Sequence, residues 1–309
     1  MDQETNLSMG HRTPTRFLFR NIYGLLRTLR PRQWIKNGFV FMALLFDGKL
    51  SDPRLLGRTI AAFVLFCMIS STVYIINDLA DIEKDKLHPK KRNRALPSGQ
   101  LKPWFAIVAA VLILAVCVPL SFLLTPTLGW IVITYFVLNL AYSFVLKHVV
   151  IIDIMTVTAG FVLRVAAGVA VAEATRFSPW LYLCTVFVAL FSSIGRRRHE
   201  LITLAGTANS HRRSLEEYTV SFLDEMGHVV ATGALIAYSL YTFSAPNLPP
   251  DYSMMLTIPF VIYGLFRYQY LIHVKGEGGA PEMLVYRDLP LLLDMALWGI
   301  AVVLIMYVF

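Results

Sequence analysis

The chain has 309 residues, of which 56% are hydrophobic and only 16% charged, with a formal net charge of +8. This composition is too apolar and too poor in charge for a soluble globular enzyme, a disordered chain or a nucleic-acid-binding protein. The cysteines, Cys67, Cys117 and Cys184, each lie in an apolar run without a partner at metal-ligand spacing, which argues against a disulfide framework and a zinc site.

Long apolar runs recur along the whole chain. A spanning helix needs about 20 mostly apolar residues, and we predict an all-α, polytopic membrane helical bundle of about nine transmembrane helices. A polar arm over 1–30 precedes a single transmembrane catalytic domain over 31–309. The first run is the least secure, because Lys36 interrupts it. The predicted spans are 34–48, 56–77, 104–124, 127–146, 150–171, 179–194, 226–244, 253–272 and 290–308.

The distribution of basic residues predicts the orientation. Lys and Arg accumulate in cytoplasmic loops, and 23 of the 28 fall on one side of the alternating connections. We therefore predict a multi-pass protein of the cell (inner) membrane, with a cytoplasmic amino terminus and its carboxyl terminus on the far side. The long loops on the cytoplasmic side also hold nearly all the carboxylates, so the active site is expected there.

The strongest candidate site is the run from Asn77 to Asp85, at the cytoplasmic end of the second predicted helix. At about 100° per residue, Asp78, Asp81 and Asp85 fall within about 60° of one another, with Asn77 beside them. Neighbouring carboxylates repel unless a cation compensates, and Mg²⁺ commonly binds one or two carboxylates plus substrate phosphate oxygens. The pattern predicts a magnesium–diphosphate site; the alternative is a solvated helix end neutralised by the neighbouring lysines.

A basic run follows this acidic stretch, from His88 to Arg94. Because arginine can bind phosphate in a bidentate manner, we predict that Arg92 and Arg94 hold a phosphate group. Ordinary enrichment of basic residues at the inner surface is the alternative. The entry segment 30–37 is also basic, and its Lys36 is a candidate substrate ligand or part of a membrane anchor.

A third cytoplasmic segment carries three consecutive arginines. Arg196 and Glu200 stand four positions apart, so a helix would bring them together and direct Arg197 elsewhere. We predict a second phosphate-binding edge there, continued by Arg212, with binding to the membrane surface as the alternative.

Ionisable residues inside predicted spans are costly and indicate function. Arg164 and Asp153 lie on one face of the same predicted helix, and Tyr142 and Lys147 end the helix before it. These side chains are candidates for substrate binding. The alternative is an internal Arg164–Asp153 ion pair that stabilises the bundle.

These motifs together resemble the UbiA superfamily of membrane prenyltransferases. Its first acidic signature, N-x-x-x-D-x-x-x-D, is matched by Asn77, Asp81 and Asp85. The second signature, D-x-x-x-D after the sixth helix, is missing, and Gly195 to Glu200 stand in its place. That departure resembles the phosphoribosyl-transferring branch, the decaprenyl-phosphate phosphoribosyltransferases, whose loop reads G-K-R-x-x-E. The segments 30–37, 77–94, 212–218 and 287–288 also resemble that branch, although Ala95 stands where proline usually follows the arginine.

The resemblance implies transfer of 5-phosphoribosyl from phosphoribosyl pyrophosphate to a polyprenyl (decaprenyl) phosphate, with Mg²⁺ as cofactor and release of pyrophosphate. It assigns the metal to Asn77, Asp81 and Asp85 and the catalytic role to Asp78, Asp81 and Asp85. The product would supply an arabinan donor for cell-wall biosynthesis. The residues then expected to bind substrate are Lys36, Arg92, Arg94, Tyr142, Lys147, Arg164, Arg196, Arg197, Glu200 and Arg212.

Two other functions are compatible with parts of this pattern. One is a UbiA-type prenyltransferase acting on an aromatic or quinone precursor. Its prenyl diphosphate substrate has no second phosphate remote from the leaving group, so the arginine-rich segment would have little to bind. An anion transporter predicts charged residues near the midplane of several helices, whereas these charges crowd one face. The partners expected are the two substrates and the bilayer, with no nucleic acid; a homo-oligomer is compatible with the sequence.

Overall fold

A computed structural model describes residues 14–87, 91–174, 178–204, 213–246, 248–277 and 281–308. Within these ranges the chain is helical, without strands, as the long apolar runs predict. The α-helices are α1 (Pro14–Thr28), α2 (Met42–Phe46), α3 (Pro53–Ala80), α4 (Ile82–Leu87), α5 (Pro103–Leu124), α6 (Pro126–Phe144), α7 (Ile152–Val171), α8 (Pro179–Leu204), α9 (Arg213–Glu216), α10 (Val220–Ser244), α11 (Ile258–His273), α12 (Pro281–Arg287) and α13 (Leu289–Tyr307). Short 3₁₀ helices are Pro31–Phe41, Lys91–Asn93, Leu146–His148 and Ser253–Thr257.

Eight helices in these ranges are long and apolar enough to cross a membrane. They correspond to eight of the predicted spans, and the helix at 103–124 is only 17% buried within the protein over its most apolar window. An apolar surface of that size would be unfavourable in water, so it indicates contact with lipid. The cysteines are buried, as packing residues should be.

The first predicted span, 34–48, is not among the eight long helices. It forms the 3₁₀ helix Pro31–Phe41 followed by the short helix α2. Among the described residues, eight of the nine predicted spans are therefore present as single long apolar helices.

Helices α6 and α13 each begin at a capping residue with proline close behind it. Thr125 accepts a hydrogen bond from the Leu128 amide at the start of α6, and Asp288 accepts one from the Leu291 amide at the start of α13. Proline occupies the first turn of both helices, where its missing N–H costs nothing. The Asp288 carboxylate also pairs with Arg267, Oδ2 to Nη2 at 2.7 Å, and this ion pair joins the start of α13 to α11.

The chain divides into two compact units. The first comprises the described parts of Met1–Arg32 and Met68–Cys117. In it α1 packs on the turn that precedes α5, where the Lys102 amide donates to Asn21 at 2.9 Å. An ideal Cβ on Gly24 would lie 3.0 Å from Leu101 Cβ. A larger residue at position 24 would therefore separate α1 from this turn.

The second unit comprises Gln33–Cys67 and the described parts of Val118–Phe309. Helix α8 packs against both α7 and α10 in it, and α11 packs on α13. One core cluster includes Phe46 and Tyr241, and Trp298 packs against it; the Phe46 ring lies 5.6 Å from the Tyr241 ring and 6.3 Å from the Trp298 ring. Gly168 of α7 lies directly against the Val40 carbonyl, with no room for a Cβ. The 3₁₀ segment and α7 are thus in backbone contact.

Candidate functional site

Two carboxylates of the first unit converge on one arginine. Helix α3 ends at Ala80, but the Asp81 amide still donates to the Asn77 carbonyl at 3.0 Å and the Asp85 amide to the Asp81 carbonyl at 2.8 Å. The helical register continues through the break, so Asp78 and Asp85 stay on one side. Arg94 Nη1 lies 3.1 Å from Asp78 Oδ1 and 2.7 Å from Asp85 Oδ2. The convergence expected from the spacing is confirmed for these two carboxylates.

Arg30 completes this cluster from the end of α1. Its Nη2 lies 2.6 Å from Asp78 Oδ1, and its guanidinium stacks over the Tyr74 ring at 4.7 Å. The Asp78 side chain is 5% exposed, and a carboxylate buried so far needs a cation or donors around it. Sequence reasoning placed Arg30 in a basic segment but assigned it no role. The contact joins residues 48 positions apart, a pairing that spacing within a helix cannot reveal.

The other predicted ligands in this region, Asn77, Asp81 and Arg92, form no hydrogen bond or ion pair with Arg94 or Arg30. Asn77 and Asp81 are half-buried, and neither side chain forms a hydrogen bond or ion pair with another described residue. Lys91 lies 3.8 Å from Asp85, and Arg92 is exposed on the 3₁₀ turn. Among the described residues no group of three His, Cys, Asp or Glu side chains is arranged to hold a metal. Asp81 is thus a carboxylate not neutralised by any cation described.

Arg197 is the central residue of a buried polar cluster in the second unit. Its Nε lies 2.5 Å from Asp153 Oδ2, its Nη1 contacts Glu200, and its Nη2 donates to the Tyr142 hydroxyl at 2.8 Å. The Arg197 and Asp153 side chains are 4% and 0% exposed. The prediction that Arg197 would point away from Glu200 is wrong, because Arg197 bends toward Asp153 on α7 and meets Glu200 three positions on.

Tyr218 holds the other oxygen of the same aspartate. Its hydroxyl donates to Asp153 Oδ1 at 2.8 Å and accepts from the Ile151 amide at 2.6 Å. Burial raises the pKa of Tyr218, and the hydrogen bond to Asp153 raises it further, so the hydroxyl stays a donor at neutral pH. Ile151, at the start of α7, has a φ of +67°, a conformation that a β-branched residue rarely adopts. Sequence reasoning included Tyr218 in the segment 212–218 but assigned it no role.

A small polar cavity of about 60 Å³ lies beside this cluster. Arg196 lines it together with Tyr142, Ser193, Arg197 and Glu200. The cavity brings together four of the predicted substrate-binding residues from α6 and α8. Lys147 is half-buried, and its carbonyl accepts a hydrogen bond from Ser214 at 2.8 Å. Arg212, predicted to extend this edge, lies outside the described residues.

Arg164 is buried within α7 and does not pair with Asp153. Its Nε donates to Asn37 Oδ1 and its Nη2 to the Tyr135 hydroxyl, both at 2.7 Å, and its Nη1 donates to the Gly160 carbonyl at 2.7 Å. The proposed internal Arg164–Asp153 ion pair is therefore wrong, because Arg197 takes the aspartate. Each acceptor described for Arg164 is neutral, so its positive charge is stabilised by dipoles and by the faces of two aromatic rings.

A larger and mostly apolar cavity, of about 410 Å³, opens between helices of the second unit. Lys36 and Asp294 are the residues on its wall with a formal charge, and the rings of Phe39, Phe161 and Trp298 also line it. The Asp294 carboxylate lies where a Cβ on Gly264 would meet it at 2.9 Å, so the glycine makes room for it. Such a cavity suits a chain-like apolar ligand with one polar end.

The fold and these clusters define a multi-pass membrane protein with two charged sites near helix ends. The chain belongs to the UbiA prenyltransferase family, whose model matches residues 38–283. It is thus a membrane-embedded transferase. A Corynebacterium glutamicum protein named decaprenyl-phosphate phosphoribosyltransferase is 34% identical over 92% of this chain and 87% of that protein. A Mycobacterium tuberculosis protein of the same name is 34% identical over 90% of this chain and 92% of its own length.

Solved structures show the same fold at low sequence identity. A UbiA homologue from Archaeoglobus fulgidus, bound to GPP and Mg²⁺, superimposes with a TM-score of 0.71 and 16% identity. The alignment covers 92% of this chain and 99% of the homologue. At this identity the likeness concerns the helical architecture.

Proposed function

We propose that the protein transfers 5-phosphoribosyl from phosphoribosyl pyrophosphate to a polyprenyl (decaprenyl) phosphate and releases pyrophosphate. The relatives of that name, 34% identical over some nine-tenths of the chain, support the assignment. The observation that carries it is the end of α8, where Arg196, Arg197 and Arg198 stand in the place of a second acidic motif. A prenyl diphosphate has no second phosphate remote from its leaving group, whereas this donor has one at ribose C5.

The diphosphate of the donor is assigned to the acidic cluster with Mg²⁺ as its cation. Asn77, Asp81 and Asp85 would hold the ion, assisted by Asp78. These residues fit it, because Mg²⁺ keeps several waters and needs only one or two carboxylates beside substrate phosphates. The carboxylate of Asp81, without a described cation partner, is the natural first ligand. When bound, the ion stabilises negative charge on the departing diphosphate.

The other end of the donor is assigned to the small polar cavity at the end of α8. Arg196 would bind the 5-phosphate through charge-assisted hydrogen bonds. Arg197 is already balanced by Asp153 and Glu200, so its contribution is to position this wall and the Tyr142 hydroxyl. Arg92 and Arg212 would be further phosphate ligands, because each lies in a basic run of the sequence.

The acceptor is assigned to the larger apolar cavity. Its aromatic walls would bind the first isoprene units, and Lys36 would attract the phosphate. Arg164 acts through Asn37, the residue next to Lys36, and positions this segment of chain. Lys147, in the 3₁₀ helix that follows α6, is the further candidate for the phosphate group.

The chemical step needs no general base. The bond between ribose C1 and the diphosphate oxygen breaks with both electrons leaving on pyrophosphate, and the ribose gains oxocarbenium character. An oxygen of the lipid phosphate, already ionised, then forms the new bond to C1 from the opposite face. Arg94, beside Asp78 and Asp85, would stabilise the charge on the leaving group.

The reaction is placed at the cytoplasmic face, with the amino terminus on the same side. The basic residues concentrate there in the alternating topology. A contact in the first unit supports it: Arg27 of α1 donates to the Asn93 carbonyl at 3.1 Å, which puts α1 on the same side as the loop after the acidic cluster.

The test is a transfer assay on purified protein in detergent or vesicles. With Mg²⁺, phosphoribosyl pyrophosphate and polyprenyl phosphate, we expect pyrophosphate release and a phosphoribosylated lipid, both abolished by EDTA and restored by excess Mg²⁺. A parallel reaction supplies a prenyl diphosphate with an aromatic acceptor. Product in that second reaction alone would overturn the proposal in favour of aromatic prenyl transfer.

A further inference from the structure

Helix α1 has two opposite faces with different surroundings. Asn21, Gly24 and Thr28 are buried, and the first two contact the turn before α5. On the other face a strip of large apolar side chains is exposed, from 43% for Ile22 to 74% for Phe19. At about 100° per residue this strip covers some 140° of the helix surface. The strip consists of Leu18, Phe19, Ile22, Tyr23 and Leu26.

The charge on α1 is entirely positive. The helix contains arginines and no acidic residue. Arg20 contacts the Gly99 carbonyl, and Arg27 donates to Gln100 Oε1 at 2.7 Å and to the Asn93 carbonyl. All these acceptors are neutral, so within the described chain both charges lack a counter-ion. At about 100° per residue the two arginines lie side by side along one border of the apolar strip.

We propose that α1 lies in the interface of the membrane that the chain spans, with the apolar strip in the acyl boundary and its arginines on anionic lipid phosphates. A helix of this kind inserts its apolar face some 5–10 Å below the headgroups, and each basic residue near an anionic surface contributes about 1 kcal/mol. The charge favours lipid over a second copy of the chain as the partner of this face. Another α1 would place its arginines against those of the first, and the like charges would repel.

The same helix is tied to the acidic cluster at two points. Arg30, two residues after α1 ends, binds Asp78, and Arg27 binds the carbonyl of Asn93, the residue before Arg94. Lipid contact along α1 therefore also holds in place the arginines that surround Asp78 and Asp85.

Spin labels on the full-length protein in vesicles test this placement. Phe19→Cys and Leu26→Cys put the label in the strip, and Glu83→Cys, on the exposed helix α4, is the matched control. The wild-type protein reports background labelling of its three buried cysteines, and thermal unfolding confirms that each variant is folded. Accessibility to oxygen, which partitions into lipid, is compared with accessibility to a water-soluble nickel chelate.

In phosphatidylcholine vesicles that contain phosphatidylglycerol, labels at 19 and 26 should show a several-fold higher ratio of oxygen to nickel accessibility than the label at 83. Removing the anionic lipid should lower that ratio. Nickel accessibility equal to that at position 83 overturns the membrane placement, and an unchanged ratio without anionic lipid overturns the role of charge. Shielding from both reagents, with dipolar coupling between copies, identifies a second chain as the occupant and also overturns the proposal.

Discussion

Asp153 and Arg197 form a buried ion pair, Oδ2 to Nε at 2.5 Å, that joins the start of α7 to the carboxyl end of α8. Both oxygens of the aspartate are used, because Tyr218 donates to the second at 2.8 Å. The arginine is likewise engaged on three nitrogens. The pair therefore sets where the neighbouring Arg196 and the small polar cavity lie.

Breaking this pair should destabilise the protein strongly. Arg197→Ala leaves the Asp153 carboxylate buried without its cation, which costs about 3–5 kcal/mol. We expect a clear fall in the Tm of the detergent-solubilised protein. Adding Asp153→Asn to Arg197→Ala should recover part of the loss, because the uncompensated charge is removed. A double variant no more stable than the single one would show that the charge is not the cause.

Arg196→Ala should affect the donor substrate and leave the fold intact. If Arg196 binds the 5-phosphate, the KM for phosphoribosyl pyrophosphate rises far more than the KM for polyprenyl phosphate, with little change in Tm. Arg54→Ala is the control, since Arg54 is 65% exposed and pairs with Glu173. Equal rises in both KM values would remove Arg196 from the donor site.

Asp81→Asn should separate metal binding from stability. Because the Asp81 side chain has no described partner, the apo protein should keep its Tm. Turnover should fall by orders of magnitude, and the stabilisation that Mg²⁺ with phosphoribosyl pyrophosphate gives the wild-type protein should disappear. Glu83→Gln, which loses only a surface pair with Lys86, should behave as wild type. Turnover near the wild-type rate in Asp81→Asn would exclude Asp81 as a ligand.

Two glycine substitutions should have opposite effects. Gly168→Ala would push a Cβ into the Val40 carbonyl and separate α7 from the 3₁₀ segment, so the Tm should fall. Gly299→Ala meets nothing within 4 Å and should stabilise α13 by about 0.5–1 kcal/mol. Thermal unfolding of both variants in one detergent checks this. Similar Tm shifts in both variants would show that the contact between Gly168 and the Val40 carbonyl does not exclude a larger residue at position 168.

The acidic cluster shows which features of the site can be predicted from residue spacing within one helix. Asn77, Asp81 and Asp85 follow one another at a helical spacing, so their shared face is predictable from periodicity alone. The partners of the cluster are predictable only in part. Arg94 lies in the adjoining basic run, where arginine is expected as a phosphate ligand, whereas Arg30 reaches Asp78 from 48 positions away.

The arginines of α8 and α7 show where such reasoning fails. Spacing favoured Arg196 beside Glu200 and Arg164 beside Asp153, but Arg197 contacts both carboxylates and Arg164 binds Asn37 and Tyr135. Helical periodicity ranks neighbours on one helix and carries no information about which side chain of another helix comes within reach.

The membrane class, the helical architecture and the acidic motif can be read from the amino-acid sequence, because each depends on composition and spacing within about 20 residues. Which arginine neutralises which carboxylate is visible only once the helices have packed, and so is the backbone contact between the 3₁₀ helix Pro31–Phe41 and Gly168. Those outcomes depend on packing between distant segments, where a buried charge binds the nearest opposite charge or dipole that the fold supplies.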